Sequence, residues 1–202
     1  MKTAHIILAA GNQERWNLSD SRGMILPSIK QLVQVNNRTL IEDIQAKFPE
    51  SIVATHRKEI KDRSLRWFEP EQHDITIATL FSTRDFWQDW TVILLGDVLY
   101  GKNTRRLLKQ QQDPIMFYGD KSEIYAIKFH LSVSPNIIFA IHNIINSPLF
   151  KPKFGKLWNL YRQLVGVDFR KQHIGDLFTK VNDCRDFDNK QQYVKYARSK
   201  RI

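Results

Sequence analysis

The chain has 202 residues; 31 are Lys or Arg and 21 are Asp or Glu, a formal net charge of +10. Hydrophobic residues make up 42% and charged residues 26%, a globular balance that excludes a disordered, collagen-like or coiled-coil chain. The single cysteine, Cys184, excludes an intrachain disulfide, a four-cysteine zinc site and a CxxC redox pair.

The apolar run at residues 6–10 is too short for a signal-peptide core. No window reaches the ~18 apolar residues of a membrane helix. A reducing, cytoplasmic compartment without a membrane partner is expected. The basic balance points to an anionic partner, either nucleic acid or phosphorylated small molecules.

No internal repeat, low-complexity tract or Gly/Ser-rich linker interrupts the sequence, so residues 1–202 read as one domain. Strand-length and helix-length apolar segments alternate, which predicts an α/β fold with a largely parallel sheet. Residues 5–10 read as a buried strand ending in a tight turn at Gly11. Residues 12–30 are polar and broken by Gly23 and Pro27, the kind of long loop that is functional or mobile. Thr39 and Glu42 form a capping box for a helix that Pro49 ends.

A strand is expected at 51–55, a helix at 58–68, an alternating strand at 74–78 and a short helix at 80–86. Residues 91–95 form the clearest buried strand, and Gly96 and Asp97 follow its carboxyl end. A helix at 103–112 comes next, then strands at 115–118 and 124–129. Helices at 134–145 and 157–164 precede a strand at 177–181 and a last helix over 186–198.

Four constellations carry chemistry. Leu8, Ala9, Ala10, Gly11 and Asn12 end a strand in small residues, leaving backbone N–H groups that can cradle phosphates; Arg15 follows with a bidentate fork. The plain alternative is a strand-to-loop turn with an exposed Arg. Lys30 closes the loop and can place a compact charge on a phosphate oxygen, although a solvated lysine would look the same. Asp97 stands where open α/β sheets bind ligands and suits Mg²⁺; a turn cap is the alternative. Asp183, after the last strand, is a candidate second metal carboxylate, and Asp186 reads as the cap of the final helix.

In this order, the motifs resemble those of the sugar-phosphate nucleotidyltransferases, including the molybdenum cofactor cytidylyl- and guanylyltransferases and the methylerythritol phosphate cytidylyltransferases. The resemblance spans residues 5–197. Departures are Gln13 at the second loop glycine, Ile29 instead of a proline before Lys30, Asn36, Asn37 and Arg38 in place of a glycine turn, and Cys184 at an apolar position. Asn tolerates the left-handed geometry such a turn needs.

The resemblance implies a GT-A-like (nucleotide-diphospho-sugar transferase), Rossmann-like three-layer α/β/α sandwich. It implies a nucleoside triphosphate and Mg²⁺ over the carboxyl ends of the strands. A phosphorylated small molecule such as a sugar phosphate would be the acceptor, and pyrophosphate would be released. Arg15 and Lys30 would be catalytic, Asp97 and Asp183 would hold the metal, and Ser82 or Thr83 would meet the nucleobase. The two cations would share one mobile loop that orders over the triphosphate.

Two other functions stay open: a GT-A glycosyltransferase using a nucleotide-sugar, and a catalytically inactive relative that binds nucleotide or nucleic acid. The aromatic and basic residues at 150–158 invite a nucleic-acid reading, but carry no RNP-type pattern and fit a connecting segment better. His130, His142 and His173 lack metal-ligand spacing.

Overall fold

The structure is a computed structural model that describes residues 1–11, 14–18, 21, 23–110, 113–147, 155–168 and 174–200, with the side chains of residues 14 and 15 excepted. The chain begins with β1 (Thr3–Leu8) and a short α1 (Glu14–Asn17). A single 3₁₀ turn (Lys30–Leu32) leads into the hairpin of β2 (Gln34–Val35) and β3 (Arg38–Thr39). Its two-residue turn uses Asn36 and Asn37, both at positive φ (50° and 63°), as a tight two-residue hairpin requires. Then come α2 (Leu40–Lys47), β4 (Ile52–Ala54), α3 (Lys58–Lys61), β5 (Trp67–Phe68) and α4 (Thr76–Ser82). The capping box is present: Thr39 Oγ1 accepts from Glu42 N, and Glu42 accepts from Thr39 N at 2.8 Å.

The second half runs through β6 (Trp90–Leu95), β7 (Val98–Leu99), α5 (Lys102–Lys109), β8 (Ile115–Gly119) and β9 (Ile124–His130). It ends with α6 (Ser134–Ile145), α7 (Leu157–Leu164), β10 (Phe178–Lys180), β11 (Arg185–Asp186) and α8 (Lys190–Lys200). Asn189, not Asp186, caps α8: its side chain accepts from Gln192 N at 3.0 Å, and the Gln192 side chain accepts from Asn189 N at 3.3 Å.

Seven strands form the central sheet in the order β10-β8-β9-β6-β1-β4-β5. Four pairings are parallel, and β9 alone runs antiparallel to both neighbours. Alternate side chains of each central strand enter different cores. Ile7, Val92 and Leu94 pack under α2, α5 and α8, with Leu40, Ile44, Leu108 and Tyr196. Ile6 and Ile93 pack under α4, α6 and α7, with Leu80, Ile141 and Leu160. This is the expected Rossmann-like α/β/α sandwich, covered on both faces as parallel sheets must be.

Strand order also fixes where a ligand can sit. From β1 the chain crosses outward to β4 and β5, then returns past β1 to β6 on the other side. The reversal between β1 and β6 leaves a crevice at their carboxyl ends, the usual ligand position in open α/β sheets.

Two expectations over residues 58–86 fail. The helix at 58–68 stops at Lys61, because Trp67 and Phe68 pair with Val53 and Ala54 at the sheet edge. The strand at 74–78 is instead the start of α4, whose Ile77 and Leu80 follow a helical period into the core.

Candidate active site

The β1 strand ends at Leu8, and the small residues that follow leave open space at Gly11, where an added Cβ would meet nothing within 4 Å. Gly96, just past β6, comes so close to the strand's end that an added Cβ would stand 2.9 Å from Ala9 Cβ and 3.0 Å from Leu8 O. Gly96 N donates to Leu8 O at 2.9 Å. The absence of a side chain at Gly96 therefore lets the turn carrying Asp97 abut the Ala10–Gly11 turn.

A cleft of about 230 Å³ opens at this edge. Leu8, Ala10 and Gly11 line it with Ile75, Thr76 and Thr79 of the α4 start, beside Gly155, Lys156 and Leu157, and with Glu123; Ile77 N donates to Gly155 O at 3.0 Å. Lys30, Asp97, Asp186 and Asp188 supply charged groups to the same cleft. Lys30 stands on the 3₁₀ turn, with 12% of its side chain exposed, and its ammonium is ion-paired with Asp97. Burial works against that charge, but the Asp97, Asp186 and Asp188 carboxylates outweigh it and raise the Lys30 pKa above the ordinary lysine value.

Two carboxylates arrive from a segment the sequence reading took for a helix start. β11 pairs antiparallel with β7, placing Asp186 opposite Val98, and Phe187 N donates to Asp97 O at 3.3 Å. Phe187 is fully buried against Tyr193 and Tyr196. Strand alternation then turns Asp186 and Asp188, on either side of it, toward the cleft. Burial, with the Asp97 and Asp188 charges beside it, pushes the Asp186 carboxyl up to about 8. Its Oδ1 is buried and has no hydrogen-bond partner among the described residues. Glu123 is also pushed up, by burial first and by Asp97 and Asp188, against the opposing pull of Lys156 3.6 Å away.

The other expected site residues fall elsewhere. Asp183 does not face the cleft: its carboxylate accepts from Asn103 N at 2.7 Å and from the N–H and hydroxyl of Thr104. It thus caps α5, a helix with no acidic residue in its first turn, where free N–H groups need an acceptor. Gly101 makes room, since a Cβ there would collide with Asp183. Ala9 is turned into the α2 core, 1% exposed.

Ser82 and Thr83 are buried and bond inward, to Ala78 O at 3.0 Å and Leu80 O at 2.7 Å. Because α4 starts at Thr76, its first turn meets the cleft and its last does not. Asn12 and the Arg15 side chain lie outside the described residues, as do residues 148–154 and His173. Lys30 is not on a free loop, and the loop before it is stapled where Trp16 Nε1 donates to Pro27 O at 2.9 Å.

By sequence, no protein-family model and no curated protein matches the chain. Solved structures do. A CTP:phosphocholine cytidylyltransferase from Streptococcus pneumoniae superposes with a TM-score of 0.64 at 18% identity, over 98% of this chain and 99% of its own. A nucleotidyl transferase from Methanothermobacter thermautotrophicus gives 0.66 at 16% identity, over 98% and 96%. A provisionally assigned glucose-1-phosphate thymidylyltransferase from Bacillus anthracis gives 0.59 at 13%, over 96% and 94%.

The chain has the nucleotidyltransferase fold.

Whether Mg²⁺ suits this example of the fold can be judged from its donors. Among the described residues, no group of three or more His, Cys, Asp or Glu side chains is arranged to hold a metal ion. Mg²⁺ needs no such cage: it binds through one or two carboxylates and completes its octahedron with water and substrate phosphates. Asp97 and Asp186 are hard oxygen donors at one cleft, crowded by like charge, and one Asp186 oxygen has no partner among the described residues. The residues fit the ion.

Proposed function

We propose that this protein is a Mg²⁺-dependent nucleotidyltransferase. It would move a nucleoside monophosphate from a nucleoside triphosphate to the phosphate of a small-molecule acceptor and release pyrophosphate. The observation that carries this is the meeting of the open Ala10–Gly11 turn with the Lys30–Asp97 ion pair at the crevice between β1 and β6.

In this reading the backbone of residues 10 and 11 receives the phosphates. An acceptor phosphate oxygen forms the new bond to the α-phosphorus as the bond to the pyrophosphate oxygen breaks. Lys30, kept charged by its carboxylate neighbours, meets the negative charge that grows in the transition state. Asp97 aims Lys30 and, with Asp186, would hold Mg²⁺, which when bound neutralises phosphate oxygens. Arg15, next to the turn, supplies the second cation.

The acceptor is further narrowed by charge. Among the described residues, Asp74, Asp97, Glu123, Asp186 and Asp188 face the cleft, against Lys30 and Lys156. That excess of carboxylates favours an acceptor carrying an ammonium group beside its phosphate. The phosphocholine named for the Streptococcus pneumoniae neighbour is a relative of this kind. Among the described residues the lining holds no aromatic ring. Carboxylates that accept hydrogen bonds would therefore select a primary ammonium over a quaternary one, which ring faces hold.

The test is pyrophosphate release with Mg²⁺ and each of the four triphosphates, across hexose phosphates, aminosugar phosphates, phosphocholine and phosphoethanolamine. An amine-bearing acceptor should exceed its neutral analogue at least ~10-fold, the value of one charge-assisted hydrogen bond. Equal rates would remove the acceptor class and keep the activity. Nucleoside diphosphate released from a nucleotide-sugar would replace the reading with a glycosyltransferase. Salt-sensitive RNA binding without turnover would replace it with a nucleic-acid-binding relative.

A further inference from the structure

β6 and β9 end their pairing at the cleft, and a side chain bonds to both strands there. Their ladder pairs Leu94 with Ala126, so residues 95 and 125 come next and would exchange backbone hydrogen bonds directly. The ladder stops short of that pair. The hydroxyl of Tyr100 joins the two instead: Leu95 N donates to it at 2.8 Å, and it donates to Tyr125 O at 2.6 Å, with Leu95 O at 3.1 Å. Tyr100 is 1% exposed, and its ring meets Phe48 edge-on at 5.7 Å. Two residues beyond Leu95 is Asp97; two residues before Tyr125 is Glu123; both line the cleft.

We propose that Tyr100 is a positioning residue whose hydroxyl, inserted as a wedge between Leu95 and Tyr125, sets the spacing of the strand ends that carry Asp97 and Glu123. The proposal rests on the reading of the cleft as the nucleotidyltransferase site. Direct pairing of residues 95 and 125 would draw the two cleft walls together. An empty gap would leave the Leu95 N–H unsatisfied and the Asp97 turn loose. The phenol avoids both, as spacer and tie. Burial holds its pKa well above the ordinary tyrosine value, so the donor to Tyr125 stays in place across the physiological range.

The experiment compares Tyr100→Phe with wild type and with Phe48→Leu, which removes the ring contact and keeps the hydroxyl. Amide hydrogen exchange is read at Leu95 and Asp97, with Val92 and Ile93 in the same strand as internal controls. In Tyr100→Phe, exchange at Leu95 should rise at least ~10-fold while Val92 and Ile93 keep their protection, because one buried hydrogen bond is lost locally. The turnover number should fall ~10-fold with the KM for triphosphate little changed, since geometry and not ground-state binding is lost. Phe48→Leu should leave both at wild-type values even if it melts earlier.

Unchanged exchange at Leu95, or raised exchange with an unchanged turnover number, overturns the proposal. Equal losses in Phe48→Leu would also overturn it by reducing Tyr100 to packing. A wild-type chain without turnover rejects the activity and leaves the wedge to be decided by exchange at Leu95 and Asp97 alone.

Discussion

At the scale of single residues, Lys30 and Asp97 define the cleft, and the carboxylate beside them is not the one expected from the sequence. Asp186 stands beside the ion pair, and Asp183 is occupied by α5. Asp97→Asn and Asp186→Asn should therefore each lower Mg²⁺-supported turnover by ~100-fold, the loss typical of a central electrostatic group. Asp183→Asn should run close to the wild-type rate. Initial rates at saturating Mg²⁺ settle the comparison, and a collapse confined to Asp183→Asn would restore the residue first expected. Asp97 was legible because an apolar strand delivers it to the sheet edge. Lys30 was legible only from its place in the ordered motifs. Asp186 and Asp188 carried a local signal too: Phe187 between them marks an inward-facing strand residue with two outward neighbours. That signal was masked because Asp before a helical pattern also reads as a cap. Ser82 and Thr83 bond to Ala78 O and Leu80 O because hydroxyls near a helix end satisfy their own turn first.

At the scale of elements, α5 depends on a residue some eighty positions away. Asp183→Ala should cost about 1 kcal/mol of stability at neutral pH, as loss of an N-cap does. Burial opposes the ionised Asp183, but the Thr104 hydroxyl and the N–H groups of Asn103 and Thr104 outweigh it and hold its pKa below the ordinary value. A carboxylate depressed in the folded state stabilises above its unfolded pKa and loses that contribution as pH falls through the folded one. The gap between wild type and Asp183→Ala should thus be full above about pH 4 and narrow below it. Urea unfolding at pH 7 and pH 3 reads this directly; a gap that widens in acid would contradict it. Elements with long periods or explicit caps were legible: α2 from Thr39 and Glu42, α6 and α7 from their apolar spacing. The stretch from α3 to α4 was not. Five residues cannot distinguish alternation from a helix start, and the pairing of Trp67 with Val53 is a tertiary decision.

At the scale of the whole molecule, the two helical layers differ in kind. α4, α6 and α7 carry one charged side chain between them, Arg162. α2, α5 and α8 carry eleven, nine of them basic. The net charge of +10 is therefore weighted to one face, while the cleft gathers carboxylates. A ligand that engages only the folded cleft should stabilise the entire fold. At 100 times its dissociation constant, the preferred triphosphate with Mg²⁺ adds ~2.7 kcal/mol, which is roughly 5–10 °C in melting temperature for a chain of this size. Chelation should remove most of that shift, and scanning with all four triphosphates would name the base. No shift with any of them would count against the cleft as a triphosphate site.

The sheet's outline has a consequence for solubility. Its longest strands, β1, β6 and β9, are interior, whereas the rims β5 and β10 have two and three residues. Lys61 also lies over the ring of Trp67 on β5, at 4.5 Å. So little open ladder remains that another chain cannot extend the sheet by strand addition. That protection lasts only while the rims stay docked. Loss of β4 and β5 would bare β1, whose Ile6, Ile7 and Leu8 are otherwise enclosed, so aggregation of this chain should follow partial unfolding from the β5 side and not association of native molecules.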